Sequence, residues 1–289
     1  EYTYKTQKRG GKGIIALTTR EEDFVEDLYI TSTHDTILFF TNKGRVYSLK
    51  AYEIPEGSRQ ARGTAIINLL NISEDEKINS IIPINKNTKE ENLVIITKNG
   101  IIKKTKLDEF ENIRRNGLKA IELKEDDELI AVRKTDGNRE IIVVTKKGMA
   151  IRFDEKDVRE MSRAAMGVKA ITLNDGDQVV TMELVEEGKS LLVISENGFG
   201  KRTPLEEYKL QNRGGKGLIT YKIKPKTGDI VSAKVVADSD EIMMISMSGT
   251  IIRIAAKDVS ITGRAAQGVT LMKMENDKVV AVARYVDED

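Results

Sequence analysis

Five times along the chain an apolar run meets a short polar turn ending in glycine and then resumes. The five stretches read ILFFTNKGRVYSL, LVIITKNGIIKKT, IIVVTKKGMAIRF, LLVISENGFGKRT and IMMISMSGTIIRI, with turn glycines Gly44, Gly100, Gly148, Gly198 and Gly249. Turns of this kind need residues that tolerate positive φ, so Asn-Gly and Lys-Gly between β-branched runs predict β-hairpins. An arginine-glycine element follows each hairpin glycine 17 to 19 residues later. About ten residues further on comes an acidic loop: Glu74-Asp75-Glu76, Glu125-Asp126-Asp127, Asp175-Gly176-Asp177, Gly228-Asp229 and Asn276-Asp277. A last apolar strand closes each unit, as in INSIIPI, LIAVRKT, VVTMELV, IVSAKVV and VVAVARYV. One unit then holds about four strands in about 50 residues, the size and content of a propeller blade.

The glycines of the second element set the period. They are Gly13, Gly63, Gly117, Gly167, Gly217 and Gly268, at intervals of 50, 54, 50, 50 and 51 residues. Arginine stands four residues earlier in five of the six (Arg9, Arg59, Arg163, Arg213, Arg264) and three earlier at Arg114. The first unit has this element and a closing strand, DLYITST, but its hairpin would fall before residue 1. The expectation is one all-β domain over residues 1–289, with a partial blade at 1–33 and full blades at 34–84, 85–135, 136–185, 186–237 and 238–289. Stretches such as FDEKDVREMSRAAMG predict a linking loop with one helical turn, because the equivalent YEIPEGSRQARG carries Pro55 and Gly57.

Composition narrows the chemistry. Hydrophobic residues at 39% supply a core, and the absence of cysteine excludes disulfides and thiolate metal sites. A single histidine, His34 in the turn-like THDT, argues against a histidine metal site or a Ser-His-Asp triad. No apolar run approaches the roughly 18 to 20 residues of a membrane-spanning helix. EYTYKTQKRGG has no apolar secretory core, and its start without methionine reads as a piece of a longer protein. Charge is dense but balanced, 47 basic against 46 acidic residues, so only segregation of the signs would create a basic surface for a polyanion partner.

Two patterns supply such segregation. Basic residues recur four places after the hairpin glycine, at Lys104, Arg152, Arg202 and Arg253, with Lys103 and Lys201 preceding two of them. The first hairpin has Ser48 there and Arg45 nearby. Together with Arg59, Arg62, Arg114, Arg163, Arg213, Lys216 and Arg264 these form an expected basic rim, with the acidic loops elsewhere. The second pattern is QKRGGKG, Gln7 to Gly13, repeated as QNRGGKG at Gln211 to Gly217. Glycines let a backbone approach phosphates closely, and lysine and arginine neutralise them. Neither copy is a P-loop, since GxxxxGK[ST] is absent, and neither stacking aromatics nor a base-reading helix accompanies them. Any nucleic acid would be read by backbone and shape.

QKRGGKG at the head of repeats near 50 residues, with the following EEDFVEDLYITSTHDTILFFTNKGRVYSLKAYEIP and ARGTAIINLL, resembles the C-terminal domain of DNA gyrase A. The resemblance covers essentially the whole chain. It implies a six-bladed β-pinwheel whose blades exchange strands and wrap double-stranded DNA around a basic rim with positive handedness. It also implies that Gln7, Lys8, Arg9, Gly10, Gly11, Lys12 and Gly13 form the family's DNA-binding box. Catalysis, ATP and Mg2+ would then belong to other parts of a topoisomerase, leaving this piece no cofactor or catalytic residue. Its partners would be the rest of gyrase A and gyrase B in a heterotetramer, in the bacterial cytoplasm at the nucleoid, and the isolated domain would be monomeric. Lys8 stands where the family often has arginine, which retains charge but not a bidentate fork. The related domain of topoisomerase IV and a propeller used as a protein-interaction platform are the alternatives.

Overall fold

The structure, a computed structural model, describes residues 14–15 (backbone), 31–57, 63–85 and 92–285. The expected box at Gln7–Gly13, together with Arg59 and Arg62, lies outside the described residues. Five four-stranded sheets account for every described strand. The hairpins Thr36–Thr41/Arg45–Lys50, Asn92–Thr97/Ile101–Lys106, Glu140–Thr145/Met149–Asp154, Ser190–Ser195/Phe199–Pro204 and Glu241–Ser246/Thr250–Ala255 form their centres. On one side each first strand pairs with its own closing strand: Ile78–Ile84, Leu129–Thr135, Val179–Leu184, Ile230–Val236 or Val279–Tyr285. On the other side each second strand pairs with two residues donated by the next repeat: Leu118–Lys119, Val168–Lys169, Leu218–Ile219 and Val269–Thr270. The last sheet receives Ile14–Ile15, which pair with Ile251 and Thr250, so the first repeat caps the last hairpin.

The described strands of the six repeats therefore make five sheets, not the six blades expected. A sheet needs a hairpin at its centre, and the sequence has five; the described part of the first repeat, Ile14–Ile15, supplies the edge of the last sheet. Each hairpin is followed directly by one 3-10 turn, at Ala51–Glu53, Leu107–Phe110, Glu155–Asp157, Leu205–Glu207 and Ala256–Asp258, and a further one lies at Ile66–Asn68.

The unbroken apolar runs have a packing cause. Sheets stack face to face, so successive residues of one strand serve two different cores. Leu93 and Ile95 pack with Leu38, Phe40 and Val46 of the preceding sheet, whereas Val94 and Ile96 pack with Ile141, Val143 and Phe153 of the next. The same division places Ile142 and Val144 with Leu191 and Val193, and Leu192 and Ile194 with Ile242 and Met244. A first hairpin strand buried on both faces is apolar along most of its length, which removes the usual alternation. Closing strands neighbour one another from sheet to sheet and line a central cavity of about 630 Å³. Glu183 there lies 2.9 Å from Arg133 and 3.8 Å from Lys234. Burial alone would raise its carboxyl, but the two cations hold it below the usual range.

The acidic loops sit over the hairpin turns. Asp177 accepts bonds from Thr145 Oγ1 at 2.6 Å and from the Lys147 amide at 2.9 Å. Asp127 accepts the Asn99 amide at 2.9 Å, and Glu76 accepts the Tyr47 hydroxyl at 2.8 Å. Several also meet lysines, as Asp229 meets Lys147 at 2.8 Å. These carboxylates close turns and several pair with cations, while Glu74, Glu125, Asp126 and Asp175 of the same loops are exposed.

Candidate nucleic-acid interface

The donated two-residue strands are the ends of loops that cap the outer edge of each sheet. A capping segment first runs parallel to the second hairpin strand, with bridges Lys104–Glu160, Arg152–Leu210 and Arg202–Ile261. Met161, Gln211 and Thr262 donate their amides at 2.8 Å to the carbonyls of Lys104, Arg152 and Arg202. The loop then turns over and returns antiparallel beside Ile102, Ala150 or Gly200. The reversal falls on the periodic glycine. Gly217 and Gly268 have φ of +77° and +74°. A Cβ on either would overlap the carbonyl oxygen of Ala150 or Gly200 beneath it. The caps cover the unpaired edge that an open sheet would present to other chains.

Arginine is the other constant of the cap. Arg163 Nη1 donates to the Lys119 carbonyl at 3.3 Å, Arg213 to that of Lys169 at 2.5 Å, and Arg264 to that of Ile219 at 3.1 Å. Each acceptor is the second residue of the donated strand of the preceding cap. Successive caps are thus tied together along the edge, while all three guanidinium side chains remain half-exposed. A guanidinium has five N–H donors, so one bond to a carbonyl leaves others for a ligand. Arg45 instead ties the hairpin strand to the cap over its own sheet, with Nη2 at 2.6 Å from the Asn116 carbonyl, and Arg114 and Lys216 are exposed.

The expected belt four residues after each hairpin glycine is not a surface feature. Lys103 and Lys201 are 0% exposed, Lys104 6% and Arg202 3%. Lys104 lies 3.9 Å from Glu155, and Arg202 donates from Nε to the Val259 carbonyl at 3.0 Å and pairs with Asp238. Arg152 pairs with Glu140, its Nε 2.7 Å from the carboxylate, and donates to the Leu205 carbonyl at 2.9 Å. Arg253 is held by Glu241. These residues stand in the middle of a strand that the cap then covers, so a regular offset in sequence becomes a regular position inside. Exposed Arg115, Arg159, Lys169 and Lys209 lie outside the rim that the sequence led us to expect. Arg159 and Lys209 each stand four residues before a cap arginine, a signal available in the repeats.

Strand-exchanging blades whose outer edges are capped by arginine loops define a propeller-like repeat ring with a basic edge. The chain belongs to the family described as DNA gyrase C-terminal domain, beta-propeller, which matches residues 1–32, 35–85, 91–136, 139–186, 189–237 and 240–285. It is 58% identical over 288 residues to the DNA gyrase A protein of Clostridium acetobutylicum, covering 99% of this chain and 35% of that protein. Its identity to the gyrase A protein of Halalkalibacterium halodurans is 56% over the same length, again over 99% and 35%. The chain thus spans about a third of the length of these curated relatives. A solved gyrase A C-terminal domain superposes with TM-score 0.89 at 30% identity, covering 99% of this chain and 94% of that one. A C-terminal domain of DNA topoisomerase IV superposes with TM-score 0.78 at 31% identity, covering 87% and 79%.

Proposed function

We propose that this chain binds duplex DNA along its capped edge and wraps it with positive handedness, as a non-catalytic part of DNA gyrase A. The observation that carries the reading is the series of half-exposed Arg163, Arg213 and Arg264, each on a loop tied to its neighbour. Cations at a regular interval along a curved edge suit a phosphate backbone and contain no device for reading bases. Bending 20 to 30 base pairs by 40 to 90° costs on the order of 1 to 6 kcal/mol, which contacts from several caps offset. Affinity then falls with salt by about 0.9 log units per log unit for each phosphate neutralised. The box at Gln7–Gly13 anchors one end of the wrap in this reading. The rest of gyrase A and gyrase B, in the bacterial cytoplasm, supply the cleavage and ATP- and Mg2+-dependent steps.

Plasmid relaxation by a type I topoisomerase in the presence of the chain tests the proposal. Positive linking-number shifts are expected, and their loss in the combined Lys8→Ala, Arg9→Ala, Lys12→Ala variant would establish anchoring at the box. Salt-sensitive binding without a shift would leave bending without chiral wrapping, nearer to the topoisomerase IV relative. Absence of DNA binding would favour a protein-interaction platform.

A further inference from the structure

Two of the cations removed from the expected belt, Lys103 and Lys201, occupy matching constellations on alternate sheets. Lys103 Nζ donates to the carbonyls of Arg163 and Ala120 and, at 3.2 Å, to that of Ser162. Lys201 Nζ donates to the carbonyl of Arg264 and, at 2.8 Å, to that of Gly263. From the other side Glu109 accepts the Arg163 amide at 2.7 Å and Glu207 accepts the Arg264 amide at 3.1 Å. Each of these two cap arginines therefore has its own N–H held by a carboxylate and its own C=O held by a buried ammonium.

We propose that Lys103 and Lys201 are positioning residues of the DNA-binding edge, clamping the backbones of Arg163 and Arg264 and keeping a positive charge directly under each without touching DNA. The inference rests on the DNA-binding reading above. Loss of water disfavours the charged form of an ammonium by more than its bonds to carbonyls return here, so a fold selected for stability alone would place an apolar residue at this position. The protein does so at the equivalent position of the intervening cap, where Ile151 lies under Gly215. That cap instead has an exposed lysine, Lys216. Counted to the end of each donated strand, Arg114, Arg115 and Lys119, Arg163 and Lys169, and Arg213 and Lys216 lie on the caps themselves, whereas the Arg264 cap has no second cation other than buried Lys201.

The charged groups around each amine fix the pH behaviour. Burial brings both lysines down to about 8, with Arg163 or Arg264 acting in the same direction and Glu109 or Glu207 opposing. The Tyr221 ring lies 5.6 Å from Lys201, and burial pushes its phenol up to about 12, so it stays neutral across this window. A phosphate arriving at the cap favours the charged amine. DNA affinity should therefore fall as pH rises through 8, with about a tenth of a group of pKa 8 still charged at pH 9. Fold stability should move the opposite way, rising over the same range as the buried charge is relieved. A purely structural lysine would not set the two against each other.

The test measures duplex DNA affinity and denaturant stability of the chain from pH 7 to 9.5 at fixed salt, with amide exchange at Arg163 and Arg264. Unaltered protein should lose affinity and gain stability above pH 8. The Lys103→Met, Lys201→Met double variant should bind about tenfold more weakly at pH 7, show a flat affinity profile, and exchange the two amides faster. A flat profile in the unaltered protein with binding intact, or double-variant affinity equal to it at pH 7, would overturn the inference and leave the DNA reading standing. Failure of the unaltered protein to bind DNA at any pH would instead overturn that reading, and the inference with it. If the double variant does not fold, the opposed pH profiles of the unaltered protein decide alone.

Discussion

The caps at 211–217 and 262–268 lie on neighbouring sheets and follow one backbone path, yet they are built on different interiors. Both enter beside the same strand position, through Gln211 to Arg152 and Thr262 to Arg202, and both reverse at a glycine of positive φ. Arg213 and Arg264 both reach back to the preceding cap. Beneath the first cap is Ile151, with a glycine pair and an exposed Lys216 above it. Beneath the second is Lys201, bonded to the loop backbone, while alanines replace the glycine pair. The difference teaches that an edge loop can hold its charge in two ways. A glycine-rich loop over an apolar floor offers an extra exposed cation and an open backbone to a ligand. An alanine loop over a buried ammonium is clamped, presenting one arginine in a set place.

The sharpest way to break the comparison is to attack what the two caps share. Gly217→Ala and Gly268→Ala should each destabilise the fold by about 2 to 4 kcal/mol, because positive φ and carbonyl overlap act together. Urea unfolding would read it, and a large loss at one glycine only would show that the caps are not equivalent in backbone. Next is the exposed chemistry. Arg213→Ala with Lys216→Ala should flatten the log affinity against log salt slope by about 1.8, and Arg264→Ala by about 0.9. Equal changes would mean that Lys216 meets no phosphate.

A smaller effect sharpens the contrast in the floors. The lysines are lower in the folded protein, about 8, than in an unfolded one, so above pH 8 the unfolded state holds more protons. Stability must then rise with pH between about 8 and 10.4, where the unfolded amine titrates. The opposing ionisation of Tyr221 begins only above about pH 10, the unfolded value of tyrosine; its folded value is higher, so the unfolded state loses that proton first and adds a fall in stability there. Lys201→Met should remove part of the rise, and Ile151→Met none of it. Smallest of all, Glu207→Gln should keep the bond to the Arg264 amide through its carbonyl oxygen and alter DNA affinity by less than about twofold, as for a single surface-near charge. Filter binding at low salt would detect a larger change.

The hairpins were legible because each required the same few things: apolar runs, a polar turn and a glycine at positive φ, as at Gly148 and Gly198. The period was legible because the cap glycine admits no side chain at Gly117, Gly167, Gly217 and Gly268, although Gly63 stands in open space. Arg163, Arg213 and Arg264 recur in the sequence, and they do lie on the edge. Lys103, Lys201 and Arg202 recur as regularly and lie inside, because charge in a sequence says nothing about what later covers it. The loop that buries Lys103 comes some 60 residues downstream, at Ser162 and Arg163.

Taken alone, the sequence determined local geometry: where the chain turns, which runs are strands, and that six similar units follow one another. It also determined that each cap must carry an arginine and a glycine. Only the tertiary structure decided which unit completes which sheet, and so that the described strands make five sheets with Ile14–Ile15 on the last. It also decided which cations face water. The physical reason is the exchange of strands: every edge is finished by residues from another repeat, so exposure is a property of pairs of repeats and is written in neither one by itself.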